Sequence, residues 1–186
     1  MHRIVLSAFL LASLPAFADD AAWPAEARKV AGEVPPKLLA TLSAAIEKGG
    51  PEGAIAVCRD EAPKLAKAAS EQSGWSIRRT SLRPRNPKAV PDAWERAALE
   101  DFDRRAAAGE SPATLEKAEL VTEGGQKVQR YLRALPTQPL CLACHGASAN
   151  LSPAVTAQLQ VLYPADQAVG YRAGDIRGAM TLKRMP

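Results

Sequence analysis

The chain has 186 residues, with 24 Lys and Arg against 20 Asp and Glu, a formal net charge of +4. The two signs alternate without a basic block or tail, which excludes a nucleic-acid footprint, and the length suits one domain with its own core rather than two. Aromatic residues make up only 5%, so the chain alone would bury a modest core, and its three cysteines do not make a disulfide framework.

The first residues bear on compartment. His2 and Arg3 precede an apolar run from Ile4 to Leu14, and Ala16-Phe17-Ala18 is a small-x-small cleavage signal before Asp19 and Asp20. The run is too short to span a bilayer, and no later stretch is apolar enough to insert stably. The expectation is a signal peptide over 1–18 and a single exported, periplasmic domain over 19–186. That compartment is oxidising, which makes any unpaired thiol conspicuous.

Trp23 to Glu33 and Lys37 to Lys48 read as two helical stretches, interrupted by Pro35-Pro36 and stopped by Gly49-Gly50. Leu38, Leu39, Leu42, Ala45 and Ile46 recur at helical spacing and predict a buried face. A further helix runs from Pro51 to Ser73, with a proline in its first turn and Gly74 past its end. Its apolar stripe is Ile55, Cys58, Ala62, Leu65, Ala66 and Ala69, so Cys58 points inward; Pro63 should bend or break the helix. The ordinary role of such a cysteine is that of a small buried hydrophobe.

Trp75 to Leu82 alternates as a strand does, and 83–92 is an irregular segment held by three prolines. Arg78, Arg79, Arg83, Arg85 and Lys88 fall in or beside it. Pro91 to Ala108 is an amphipathic helix capped by Asp92, with Trp94, Ala97, Ala98, Asp101 and Phe102 along one stripe. Gly124-Gly125 between alternating runs predicts a hairpin within 115–135. Ser152-Pro153 opens a short helix to Tyr163, and Asp175 to Lys183 reads as a final strand.

Between the hairpin and that helix lies Cys141-Leu142-Ala143-Cys144-His145. In one helical turn the two cysteines share a side and can each form a thioether to a haem vinyl group, while His145 puts an imidazole nitrogen on the iron. A thioredoxin-like couple would sit at a helix start after an early strand. A zinc site built from Cys58, Cys141, Cys144 and His145 lacks the usual two spaced ligand pairs. One covalent haem c is therefore the predicted cofactor, and attachment outside the bacterial inner membrane agrees with export. Of the two histidines only His145 remains after cleavage, so the second axial position falls to Cys58, Met180, Met185, a lysine, water or nothing. Arg78, Arg79, Arg83 and Arg85 are candidate partners for the haem propionates, Arg83 and Arg85 foremost, since planar guanidinium groups bind carboxylates in pairs; a solvated basic loop is the plain alternative for each.

Several motifs together resemble one family: 50–58 ending in Cys58, Ala62-Pro63, Gly74 through Pro87, Tyr131 to Pro136, Cys141 to Gly146, Tyr163-Pro164 and Gly170 through Gly178. They are similar to the exported single-haem c-type proteins with a PAS-like sensor fold, formerly a domain of unknown function, and the likeness runs from about Lys37 to Gly178. The resemblance implies an α+β fold with a five-stranded antiparallel sheet surrounded by helices, and axial ligation by the residues at His145 and Cys58. It implies a redox or diatomic-gas sensor acting on an unknown redox or signalling partner. A small periplasmic electron-transfer cytochrome is the competing expectation; a peroxidase is disfavoured by the lack of a second histidine for acid–base work.

Overall fold

The computed structural model describes residues 22–186, and the expected leader at 1–18 lies outside them. The fold is α+β. Helix α1 (Trp23–Ser73) is followed by β1 (Ser76–Thr80), α2 (Ala93–Ala107), β2 (Glu116–Glu123), β3 (Gln126–Pro136), α3 (Leu142–His145), α4 (Pro153–Leu162) and β4 (Ile176–Arg184). The strands form an antiparallel sheet in the order β1-β4-β3-β2. Among the described residues the sheet has four strands, not five. These are the four that alternation and the Gly-Gly turn predict; the fifth was implied by the resemblance alone. No helix of the described residues is long and apolar enough to cross a membrane.

Helix α1 consists of two limbs. Its only non-helical residues are Gly49 and Gly50, the latter at φ 70°, and a side chain at Gly50 would meet the Glu52 carboxylate at 2.9 Å. Pro35-Pro36 does not interrupt it, contrary to the sequence expectation, and helical φ/ψ continues through Pro63. A proline ring holds a helical φ and costs one N–H bond, and here the packing outweighs that cost. Trp23, Ala27, Ala31 and Val34 are buried against Trp75, Ile77, Tyr131, Met180 and Leu182, and Leu65 and Ala69 of the second limb pack on the same cluster. Residues 37–48 run past that cluster. Leu38, Leu39, Leu42 and Ile46 are therefore only half-buried, where their spacing predicted a buried face.

The opposite face of the sheet is covered by α2. Its Asp92 cap accepts from the Glu95 amide at 2.9 Å while the Glu95 side chain accepts from the Asp92 amide at 3.0 Å, a reciprocal capping box. The buried stripe is Glu95, Ala98, Leu99 and Phe102, rotated from the one read in the sequence; Ala97 is exposed. Glu95 is tolerated inside because the guanidinium groups of Arg78 and Arg130 both meet its carboxylate. Leu99 and Phe102 pack with Leu115, Leu132, Ala134 and Ala179.

The β2–β3 turn has Gly124 at φ 56° and Gly125 at φ 81°, as a two-residue hairpin loop of the primed type requires. After β3 the Thr137 amide donates to Asp175 O, and the Gly174 amide to Thr137 O, both at 2.8 Å. This clamp fixes where the chain leaves the sheet for α3 and where it re-enters for β4.

Candidate functional site

Cys141 stands at the start of α3, and the single turn that follows carries Cys144 and His145. This turn faces the second limb of α1. Cys144 packs into a cluster with Ile55, Val155, Leu159, Leu151 and Tyr163, and its Sγ lies 3.9 Å from Pro51 O, just past the limb break. All three cysteines are free and half-buried. They lie within charge–charge reach of one another, so the structure brings Cys58 to the motif across 83 residues of chain separating it from Cys141. Burial pushes the Cys58 and Cys144 thiols up from their ordinary values. At Cys58 the positive charges of Arg79 and Arg85 pull the other way.

His145 is held from behind. Its Nδ1 is 2.7 Å from Ala168 O, and its own carbonyl accepts from the Tyr171 amide at 2.9 Å. Arg177 Nε also lies 3.1 Å from the same Nδ1. One nitrogen cannot donate to the first and accept from the second. A carbonyl can only accept, and it is the nearer partner, so Nδ1 carries the proton and the Nε2 lone pair is left for a ligand. Burial, followed by the charges of Arg177 and Arg85, keeps the imidazole pKa well below its ordinary value, so the ring is neutral. The Tyr171 ring stands edge-on to it, with centroids 6.4 Å apart.

Four arginines surround the motif, and their partners differ. Arg85 makes three bonds: Nε donates to Asp166 Oδ2 at 2.9 Å, and Nη2 to Cys144 O at 2.6 Å and Ala168 O at 3.2 Å. Asp166 Oδ1 in turn accepts from the Ala168 amide at 2.8 Å. Arg83 is exposed, lies 4.2 Å over the Tyr171 ring and donates to Gln167 O at 3.3 Å. Arg177 is buried and finds Ser81 Oγ at 3.3 Å. Burial first, and then repulsion from Arg79, push the Arg177 pKa down to about 9. Arg79, on β1, lies within charge–charge reach of Cys58 and Cys141, and no side-chain hydrogen bond or ion pair of Arg79 occurs among the described residues. Of the two residues foremost in the sequence as propionate partners, Arg85 is paired with Asp166, whereas Arg83 meets no carboxylate among the described residues.

The methionines are placed elsewhere. Met180 is buried in the sheet core beneath α1, and Met185 is exposed beyond β4. Arg177, Asp166 and the Ala168 carbonyl were not singled out in the sequence. At Arg177 the available signal was a charge between Ile176 and Gly178 at the start of the final strand, apart from Lys183 and Arg184 at its end. A cleft of about 510 Å³ between α2 and the start of β4, lined by Arg83, Asp103, Tyr171 and Asp175, contains none of the thiols nor His145.

The donor set suits a haem better than a bare ion. Among the described residues no three His, Cys, Asp or Glu side chains converge closely enough to hold a metal ion by themselves. A macrocycle brings four nitrogens of its own and needs from the protein one or two axial donors, two thiols at its vinyl edge and counter-charges for its carboxylates. Those are the groups present.

Residues 19–184 match the family described as Tll0287-like. The chain belongs to the Tll0287-like family. A solved structure described as that of the cyanobacterial haem protein Tll0287 is 27% identical, with a TM-score of 0.63 over 87% of this chain and 96% of the other. No protein with a curated description matches the chain. Family membership fits the likeness carried by the sequence motifs from Lys37 to Gly178, and it covers the described sheet and both limbs of α1.

Proposed function

We propose that the protein is an exported c-type haem protein in which Cys141 and Cys144 carry the haem, His145 and Cys58 are its axial ligands, and the bond to Cys58 makes the domain a redox or diatomic-gas sensor. The observation that carries this reading is that Cys58, from the second limb of α1, lies within charge–charge reach of both Cys141 and Cys144. The relation to a haem protein supports the cofactor. The short apolar leader read in the sequence supports export.

When bound, haem supplies one-electron redox chemistry and an iron site for small ligands. The chain's own residues then act as follows. The Ala168 carbonyl fixes the tautomer and ring direction of His145 and makes Nε2 the better donor. Arg85 fixes Ala168 and the backbone of Cys144 relative to one another. Cys58 ties residues 51–73 to the site. With haem bound, loss of that tie on reduction, protonation or competition by a diatomic ligand would let the part of the limb next to the Gly49-Gly50 break shift while Leu65 and Ala69 keep its far end on the sheet, which is what a sensor needs.

The test is the absorption and electron paramagnetic resonance spectrum of the ferric protein, native and with Cys58→Ser, expressed with haem-attachment machinery. A low-spin thiolate signature lost in the variant is expected. An unchanged spectrum would return Cys58 to the core and leave an electron carrier as the better reading. Reduction or carbon monoxide addition that leaves the Cys58 bond intact would overturn the switch alone.

A further inference from the structure

Arg79, Arg85 and Arg177 lie within charge–charge reach of one another, and the one carboxylate paired with any of them among the described residues is Asp166, held by Arg85. Two positive charges therefore stand in surplus beside His145 and the three thiols. Neither is stray. Arg177 is buried, with Ser81 Oγ and an imidazole nitrogen that already carries a proton as its neighbours. Among the described residues Arg79 has no side-chain acceptor, and it is half-buried, with none of its nitrogens among the fully buried unpartnered atoms. A guanidinium in such a place costs stability unless a carboxylate meets it. Glu52 lies within charge–charge reach of Cys144.

We propose that Arg79 and Arg177 form the carboxylate-binding edge of the site and neutralise the two haem propionates, in place of Arg83 and Arg85. The inference rests on the haem reading above. Of the three guanidinium groups near the motif that no carboxylate meets among the described residues, Arg83 is exposed, and Arg79 on β1 and Arg177 on β4 are the two more buried ones, so that the cofactor's two carboxylates would be bound by neighbouring strands. A free inorganic anion has the same charge chemistry and is the competing source.

The test uses the haem-loaded full chain with Arg79→Gln, Arg177→Gln, Arg79→Lys and Arg83→Gln. Covalent haem is measured on denaturing gels, and the midpoint potential is followed between about pH 5 and pH 8, where a propionate released from its cation titrates. The Gln variants at 79 and 177 should shift the potential downward and add a pH-dependent step absent from the native protein. Arg79→Lys should restore most of the native profile, and Arg83→Gln should match it. If Arg79→Gln does not load haem, Arg79→Lys loading with a native profile supports the role, and its failure to load overturns it. Loaded Gln variants with native potential and profile overturn the inference and leave the haem reading intact. A native protein that carries no covalent haem overturns the haem reading instead. A native potential that responds to added chloride, with the response lost in Arg79→Gln, assigns the site to a free anion and overturns the propionate role.

Discussion

Arg85→Ala removes the tie among three segments at once. Arg85 and Asp166 are each about 10% exposed, so their 2.9 Å pair lies largely outside solvent screening. Removing the guanidinium leaves the Asp166 charge buried with the Ala168 amide as its remaining partner, and leaves the carbonyls of Cys144 and Ala168 without that donor. Breaking a buried pair from one side costs about 3–5 kcal/mol. In urea this corresponds to a midpoint lower by about 2 M for a slope of about 2 kcal/mol per molar. The double variant Arg85→Ala/Asp166→Asn keeps the bond from the Ala168 amide while removing the stranded charge. It should recover about 1–3 kcal/mol of the loss. Tryptophan fluorescence during denaturation measures both. Equal destabilisation of the single and double variants, or a loss below about 1 kcal/mol in Arg85→Ala, would refute the view that Asp166 depends on Arg85.

Three further outcomes follow from the packing. Gly178→Ala puts a methyl group 2.3 Å from Thr80 O at a φ of 145°, and should cost about 3 kcal/mol, seen as a melting temperature lower by about 6–12 °C. Phe102→Ala opens a hole in the fully buried α2 face and should cost about 3–5 kcal/mol by denaturant titration. At Glu116 the Arg28 guanidinium, helped by the Tyr131 hydroxyl and opposed by burial, holds the carboxyl below the usual carboxylate range. The unfolded chain then takes up this proton more readily, so the stabilisation is present above about pH 4.5 and is lost as pH falls below it. Glu116→Gln should remove that part of the acid dependence, and an unaltered stability–pH curve would contradict the pairing.

Local chemistry was legible where a few adjacent residues decide it. The Gly124-Gly125 turn, the Asp92 cap, the four strands and the Cys141–His145 turn are all short-range, and each lies where the sequence put it. What could not be read depends on contacts across the fold. Pro35-Pro36 continues a helix because Trp23, Ala27, Ala31 and Val34 are anchored on a sheet formed much later in the chain. The Leu38–Ile46 stripe has the right period, but periodicity says nothing about whether a partner stands opposite. Cys58 could be read as inward-facing, and the family resemblance supplied the role that periodicity left open. Arg85 looked like a free cation because its acceptors are backbone carbonyls and an aspartate some 80 residues away. Arg79 and Arg177 become visible as a pair only when β1 and β4 are side by side.

The order of the sheet also governs when the site can exist. β4 comes last of the described elements, yet it is an inner strand with β1 on one side and β3 on the other. Until it inserts, β1 has no neighbour, the sheet is split, and the side of His145 later covered by Arg177 stays open. Pairings across such long loops form slowly. β4 is thus the latch of the site: its pairing with β1 and β3 joins the two halves of the sheet and brings Arg177 against His145.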